Sequence, residues 1–336
     1  MKSDDLNAIW IEIESQRKDH KGYLQRMVCP DLLYRAFIGS TGIPSKRFLS
    51  IEIPKEEGKQ FDSFTAPQGF TLTIGEPSVK HKGYVACILT AAASDQNDVF
   101  SVLTKDILEE LRKQKDADLY IESLKKRVEK WRVLFKNAAK NKLSEKTVIG
   151  LIGELSFIKD LHSSGINNGV DYWNGPIKSA QDFQGDAVAS EVKTTSSNKL
   201  EYVHISSEVQ LDDDQRDALF LVAYRIERND AGGTTLPVLI QQVAAMISEG
   251  QKASFYAKLF CLGYKAEDAN LYNKRYSVKE LKVYKVSDGF PRILRHDLPQ
   301  GVMDVSYKLS LQSCASFESD LGAIVNSIKE YEYGES

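Results

Sequence analysis

At 336 residues the chain is longer than one average domain and most naturally makes two, each with its own core. Its 42% hydrophobic and 27% charged residues are an ordinary globular composition, and a net charge of -3 gives no overall footprint for a polyanion. No apolar run approaches the roughly 18 residues that span a bilayer, which excludes a membrane partner from the expectations.

The opening MKSDDLNAIWIEIESQ carries acids where a secretory signal needs a basic and then an apolar stretch, so the expected location is the cytoplasm. Up to about residue 110, FLSIEIP, GFTLTIGEPS and YVACILTA are short β-branched runs bounded by Gly, Pro and Lys, and they predict a β-rich N-terminal unit without a catalytic constellation. Residues 118–140 change to a helical period, with Leu124, Val128, Trp131 and Phe135 on one stripe and Asp116 or Asp118 as N-cap. Lys125, Lys126, Lys130, Arg132, Lys136 and Lys140 gather on the other side. From Arg112 to Lys146 there are twelve Lys or Arg against five acids. This basic segment is either the solvated face of a connector or a phosphate-tracking surface.

A second helix is predicted from Ser144 as N-cap to Gly165 as stop, with Val148, Leu151 or Ile152, Leu155 and Ile158 buried. Gly150 and Gly153 each cost about 1 kcal/mol inside a helix, so a close neighbour is expected there, beside Glu154. Gly185-Asp186 then reads as a two-residue hairpin turn, which sets Gln184 opposite Ala187 and Asp182 opposite Ala189. Position 189 shares a strand face with Glu191 and Lys193, so Asp182, Glu191 and Lys193 fall on one sheet face, and Val188, Ser190 and Val192 on the other. LEYVHIS and ALFLVAYRIE add two strands. Beyond 227, two amphipathic helices, two alternating strands in SVKELKVYKV and VMDVSYKLSL, and a final helix are expected.

Some chemistries are absent from the pattern. Cys29, Cys87, Cys261 and Cys314 have no close spacing, and the five histidines make no paired-ligand motif, so zinc chemistry and a disulfide framework are not expected. There is no G-x-S-x-G elbow and no G-x-x-x-x-G-K-[ST] loop, so any ATP-driven motor would belong to a partner. Two carboxylates and a lysine on one face have a specific use instead. Mg2+ is typically held by one or two carboxylates with water and substrate phosphate, and a lysine can position the attacking water or meet the developing anion. That chemistry is phosphodiester hydrolysis. The bland alternative is a charged strand edge, because E-x-K tripeptides also occur on solvated strands.

Asp182, then Glu191-Val192-Lys193 on the following strand, after a helix bearing Glu154, resembles the PD-(D/E)XK nuclease superfamily with its α-β-β-β-α-β core. Gln181 stands where that pattern has proline. GLIGEL, WNGP, DF, EVKTT and ISSEVQLD, within 144–227, together with the tail FPRILRHDLPQGVMDVSYKLSL, resemble a narrower group of PD-(D/E)XK motif proteins found beside Z1-type and MutL-like ATPases in bacterial phage-defence clusters.

The resemblance implies that Asp182 and Glu191 are metal ligands, joined by the Val192 carbonyl, with Glu154 as an auxiliary ligand for Mg2+ or Mn2+. It implies Lys193 as the catalytic lysine and Gln210 as a supporting glutamine, although SSEVQLDDDQ also reads as a polar loop or short helix. Asp186 is the rival for the aspartate role. The expected fold is α/β: a restriction-endonuclease-like mixed sheet flanked by helices over 144–336, a connector helix over 116–143 and a β-rich domain over 1–115. The expected function is a metal-dependent DNA endonuclease of a defence system, with ATPase subunits and a second copy of the chain as its expected partners. The alternative is a non-catalytic DNA-binding or scaffold subunit that keeps the fold.

Overall fold

The computed structural model describes residues 3–16, 23–65, 69–77, 81–138, 142–177, 179–214, 216–303 and 305–334. Its contacts divide the chain into two units, Met1–Asn141 with Tyr256–Gly263, and Lys142–Phe255 with Tyr264–Ser336. None of the described helices is long and apolar enough to cross a membrane.

In the first unit, helix α1 (Ser3–Gln16) precedes strands β1 (Leu24–Val28), β2 (Ala36–Thr41) and β3 (Lys46–Pro54). The one-turn helix α2 (Lys55–Gly58) leads to β4 (Phe64–Thr65), β5 (Phe70–Gly75) and β6 (Tyr84–Ala91). These strands form one antiparallel sheet in the order β1-β2-β3-β6-β5-β4. Helices α3 (Asn97–Arg112) and α4 (Ala117–Ala138) follow.

The segment expected as a separate connector is α4, and it is a packed element of this unit. Tyr120, Leu124, Trp131 and Phe135 are buried, and Asp106 of α3 accepts from Trp131 Nε1 at 2.7 Å and pairs with Arg127 at 3.0 Å. Of its basic face, Lys126 pairs with Glu122, Arg132 with Glu129, and Lys125 donates to Gln60. Lys140 lies outside the described residues.

The second unit is mixed α/β. Helices α5 (Glu145–Ser163) and α6 (Gly169–Tyr172) lead into β7 (Phe183–Gln184), β8 (Val188–Thr195), β9 (Tyr202–Ile205) and β10 (Ala218–Arg228). Then come β11 (Thr234–Thr235), α7 (Leu236–Met246), α8 (Glu249–Leu262, counted with the first unit from Tyr256 on), β12 (Arg275–Val286), β13 (Tyr307–Ser310), β14 (Glu318–Ser319) and α9 (Leu321–Tyr333). The main sheet runs β11-β12-β10-β8-β7, with β14 also on β12, and its β8-β10 pair is parallel. A parallel neighbour needs a crossover, and its inner strands are buried on both faces, which explains the near-continuous apolar run of β10. LEYVHIS does not extend this sheet; β9 pairs with β13 in a separate antiparallel ribbon.

Alternation along β8 sends its two faces to different layers. Ala189 packs in a cluster with Val203 and Ile205 of β9, Leu309 of β13, and Leu219 and Leu221 of β10. Val188 and Ser190 face Phe157 and Leu161 of α5 and Ile328 of α9. The expected turn at Gly185-Asp186 is corrected to one at Asp186-Ala187, one residue further along. Gln184 pairs with Ala189 and Phe183 with Ser190, and the Gly185 amide donates to the Val188 carbonyl at 2.8 Å. Arg216 ties this turn down, donating to the carbonyls of Gly185 and Asp186 at 2.9 Å each. The register thus slides by two residues, and a slide of two leaves every side chain on its original face.

Candidate active site

Continuing that register, Asp182 falls opposite Glu191, and the two strands are laced there by side chains. The Asp182 amide donates to Glu191 Oε2 at 3.2 Å, and the Val192 amide donates to Asp182 Oδ2 at 3.0 Å. The Asp182 carbonyl in turn accepts from the amides of Asn174 at 2.6 Å and Gly175 at 2.9 Å, so the WNGP turn fixes the aspartate from behind.

Glu154 arrives on α5. Ser144 caps that helix by accepting from the Thr147 amide at 3.1 Å, a bond that stabilises a helix end by about 1 kcal/mol. Of the two helix glycines only Gly153 is a close approach: a Cβ there would stand 1.8 Å from Thr194 Oγ1 of β8. Gly150 has nothing against it and lies on the cleft lining. Trp173 is fully buried and donates Nε1 to Glu154 Oε2 at 2.5 Å, so it is both a core residue and the partner that aims this carboxylate.

Lys193 completes the group. Its Nζ is 2.6 Å from Glu191 Oε1 and donates to Gln210 Oε1 at 3.0 Å. Gln210 sits in the short turn Glu208–Leu211, and the same Oε1 takes the Ser206 amide at 2.7 Å. Glu154, Asp182, Glu191, Val192, Lys193 and Gln210 all line one cleft of about 830 Å3. Asp186 is in the turn beyond β7 and is not among the lining residues.

Two residues escaped the sequence reading. Gln181, buried at the position of the superfamily's proline, donates to the carbonyls of Val209 at 3.0 Å and Asp212 at 3.2 Å, and so ties the Gln210 turn to the Asp182 strand. Its mismatch with the proline was the available signal. Gly175 leaves room for the acids, because a Cβ would come within 2.8 Å of both Asp182 Oδ1 and Glu154 Oε2. The glycine of WNGP was visible, but its purpose needs the three-dimensional neighbours.

Residues 6–312 match the family model described as "Putative PD-(D/E)XK family member" (DUF4420). The chain belongs to this PD-(D/E)XK family. No curated protein and no solved structure matches it significantly. Membership in a PD-(D/E)XK family suggests a nuclease, and such nucleases generally use divalent metals.

The electrostatics suit that family chemistry. Glu191 is 1% exposed, and burial, reinforced by the charge of Asp182, pushes its carboxyl up to about 8. Burial and then the Asp182 charge push Glu154 well up as well, and burial raises Asp182 against the pull of Lys193. Three crowded acids beside one ammonium, Glu191 buried and Glu154 and Asp182 half-buried, are costly unless a cation joins them. Among the described residues no set of three or more His, Cys, Asp and Glu forms a ready metal cage. Mg2+ needs only one or two carboxylates with waters, however, and the Asp182 and Glu154 oxygens crowd together at Gly175 beside Glu191, whose Oε1 has the Lys193 ammonium as a close neighbour. The donor set fits a hard divalent ion.

Proposed function

We propose that the chain is a divalent-metal-dependent DNA endonuclease whose second unit is a restriction-endonuclease-like core and whose β-rich first unit is an accessory domain. The observation that carries this reading is the meeting of Asp182, Glu191, Glu154 and Lys193 in one polar cleft. Asp182 and Glu191, with the Val192 carbonyl and Glu154 in support, would hold Mg2+ or Mn2+. When bound, that ion supplies charge neutralisation at the scissile phosphate and acidifies a water.

The chain's own residues then have defined tasks. The laced β7-β8 pair holds the two carboxylates in register, and Trp173 aims the third. Lys193, oriented by Gln210, offers a proton donor and positive charge at the lip of the acidic group, where it can align the attacking water and meet the anion that develops on phosphorus-bound oxygen. The resemblance to defence-cluster proteins adds a restriction or anti-phage setting with partner ATPase subunits, and a homodimer is a natural way for such an enzyme to address two strands. The absence of a P-loop motif from the sequence agrees with an external motor.

The test is cleavage of plasmid DNA by the full chain, alone and with the neighbouring ATPase subunits, across a Mg2+ and Mn2+ titration. Metal-dependent nicking supports the reading. Failure to cut in every combination, with no metal-induced rise in melting temperature, overturns it.

A further inference from the structure

Beyond the carboxylates, the cleft has a second wall with no task in the reaction outlined above. The β9-β13 ribbon buries Val203, Ile205 and Leu309 and exposes the alternate set: Tyr202 and His204 on β9, with Lys308 paired directly across from His204. All three line the same cleft as Lys193 and Glu191. Among the described residues none of the three side chains has a hydrogen-bond or ion-pair partner, and Tyr202 is 58% exposed. Lys146 of α5 and Arg228 at the end of β10 also line this cleft, and the pairing of Arg228 with Asp230 is between exposed groups, worth little in water.

We infer that the β9-β13 ribbon binds a single nucleic-acid strand, with Tyr202 stacking on an unpaired base and Lys308 and His204 holding the adjoining phosphates. The inference rests on the hydrolase reading for what happens next, and it adds the form of the substrate. A cation row with an exposed aromatic beside it is the arrangement that holds single strands, since any base offers a π face to the ring. Within a duplex those faces are covered by neighbouring bases.

The ribbon is also tied to the chemistry, because Ser206, one residue past β9, donates its amide to the Gln210 oxygen that receives Lys193. A strand lying on the ribbon is thereby led to the lysine.

The test is fluorescence anisotropy of the full chain with a labelled, unstructured single-stranded DNA and with the duplex it forms with its complement, in EDTA so that nothing is hydrolysed. The single strand should bind more tightly. Tyr202→Ala should weaken it by about tenfold, while Tyr202→Phe keeps the affinity, because the ring and not the hydroxyl stacks. Lys308→Gln should reduce the slope of log affinity against log salt by about 0.7, the value for one phosphate contact on a single strand. Equal affinity for duplex, no binding of either form, or an unchanged affinity in Tyr202→Ala overturns the inference. Because no metal is present, these outcomes are independent of the plasmid-cleavage assay, so the hydrolase reading can survive the loss of this one, and the reverse.

Discussion

Asp182 and Glu191 hold each other in place across the hairpin: the aspartate's amide binds the glutamate's carboxylate, and the aspartate's carboxylate binds the amide that follows the glutamate. The relation is reciprocal, so neither acid can turn away without releasing a part-buried hydrogen bond. It also separates Asp182 from its rival. Asp182→Asn is expected to abolish metal-dependent cleavage, whereas Asp186→Asn, in the turn that Arg216 clamps through backbone carbonyls, should retain most of it. Parallel plasmid assays on the two variants check this, and equal losses would make the turn aspartate part of the site.

Glu191 gives the metal-free protein a pH dependence of known sign. Its folded value of about 8 lies above the ordinary 4.5, so the folded state favours the protonated acid. The associated stability is fully present below 4.5 and is lost as pH rises through about 8. Melting temperature in EDTA should therefore fall across that window, and Glu191→Gln should flatten the fall and melt above wild type at its alkaline end. Mg2+ should raise the wild-type melting temperature most where the acids are deprotonated. Differential scanning fluorimetry against pH reads all three, and a wild-type profile that rises from 4.5 to 8 would contradict the burial argument.

Gln181 acts through other residues. Replacing it with leucine leaves the Val209 and Asp212 carbonyls without their donor, a loss of about 1–3 kcal/mol for each buried group left unpaired, and frees the turn that carries Gln210. Gln181→Leu should lower kcat more than it raises KM. In a double-mutant cycle with Gln210→Ala the two losses should not add, because both end in a misdirected Lys193. Additive losses would mark Gln181 as a purely structural residue.

Period was the legible part of this fold. The helix of Glu154, its Ser144 cap and the face shared by Asp182, Glu191 and Lys193 all follow from repeats of 3.6 and 2, and they stand even though the turn was misjudged. The place of the turn was illegible because Arg216, distant in sequence, takes up the carbonyls of Gly185 and Asp186. The same holds for Trp173 and Gly175, whose roles are set by Glu154 across the cleft, and for the β9-β13 pairing, which joins segments about a hundred residues apart. Local pattern assigns elements and faces. It does not say which side chains from other elements arrive beside them.

The basic face of α4 carries its own partners. Lys126 pairs with Glu122 and Arg132 with Glu129 along the helix's own surface, exposed pairs of the kind a solvated face carries. Reversing Lys126 and Lys130 to glutamate is expected to leave the salt dependence of DNA binding unchanged. A slope flattened by about 0.9 for each site on duplex DNA would instead make this helix a phosphate-binding surface.

Lys193 decides between an enzyme and a scaffold that has kept the fold. Its ammonium stands against Glu191 and Gln210 and is only partly buried, so removing it leaves the acids and the β8 backbone in place. Lys193→Ala should therefore keep metal-induced stabilisation and DNA binding while reducing turnover by several orders of magnitude, since the lysine's work lies in the transition state. Lys193→Arg, longer and planar, should not restore it. The measurement is made on the assembly with the ATPase subunits proposed above as well as on the chain alone, because an enzyme that waits for a partner would imitate a dead one when assayed alone. If that assembly cuts DNA as fast with Lys193→Ala as with the wild-type chain, the cleft is a binding surface and the hydrolytic role assigned to it is wrong.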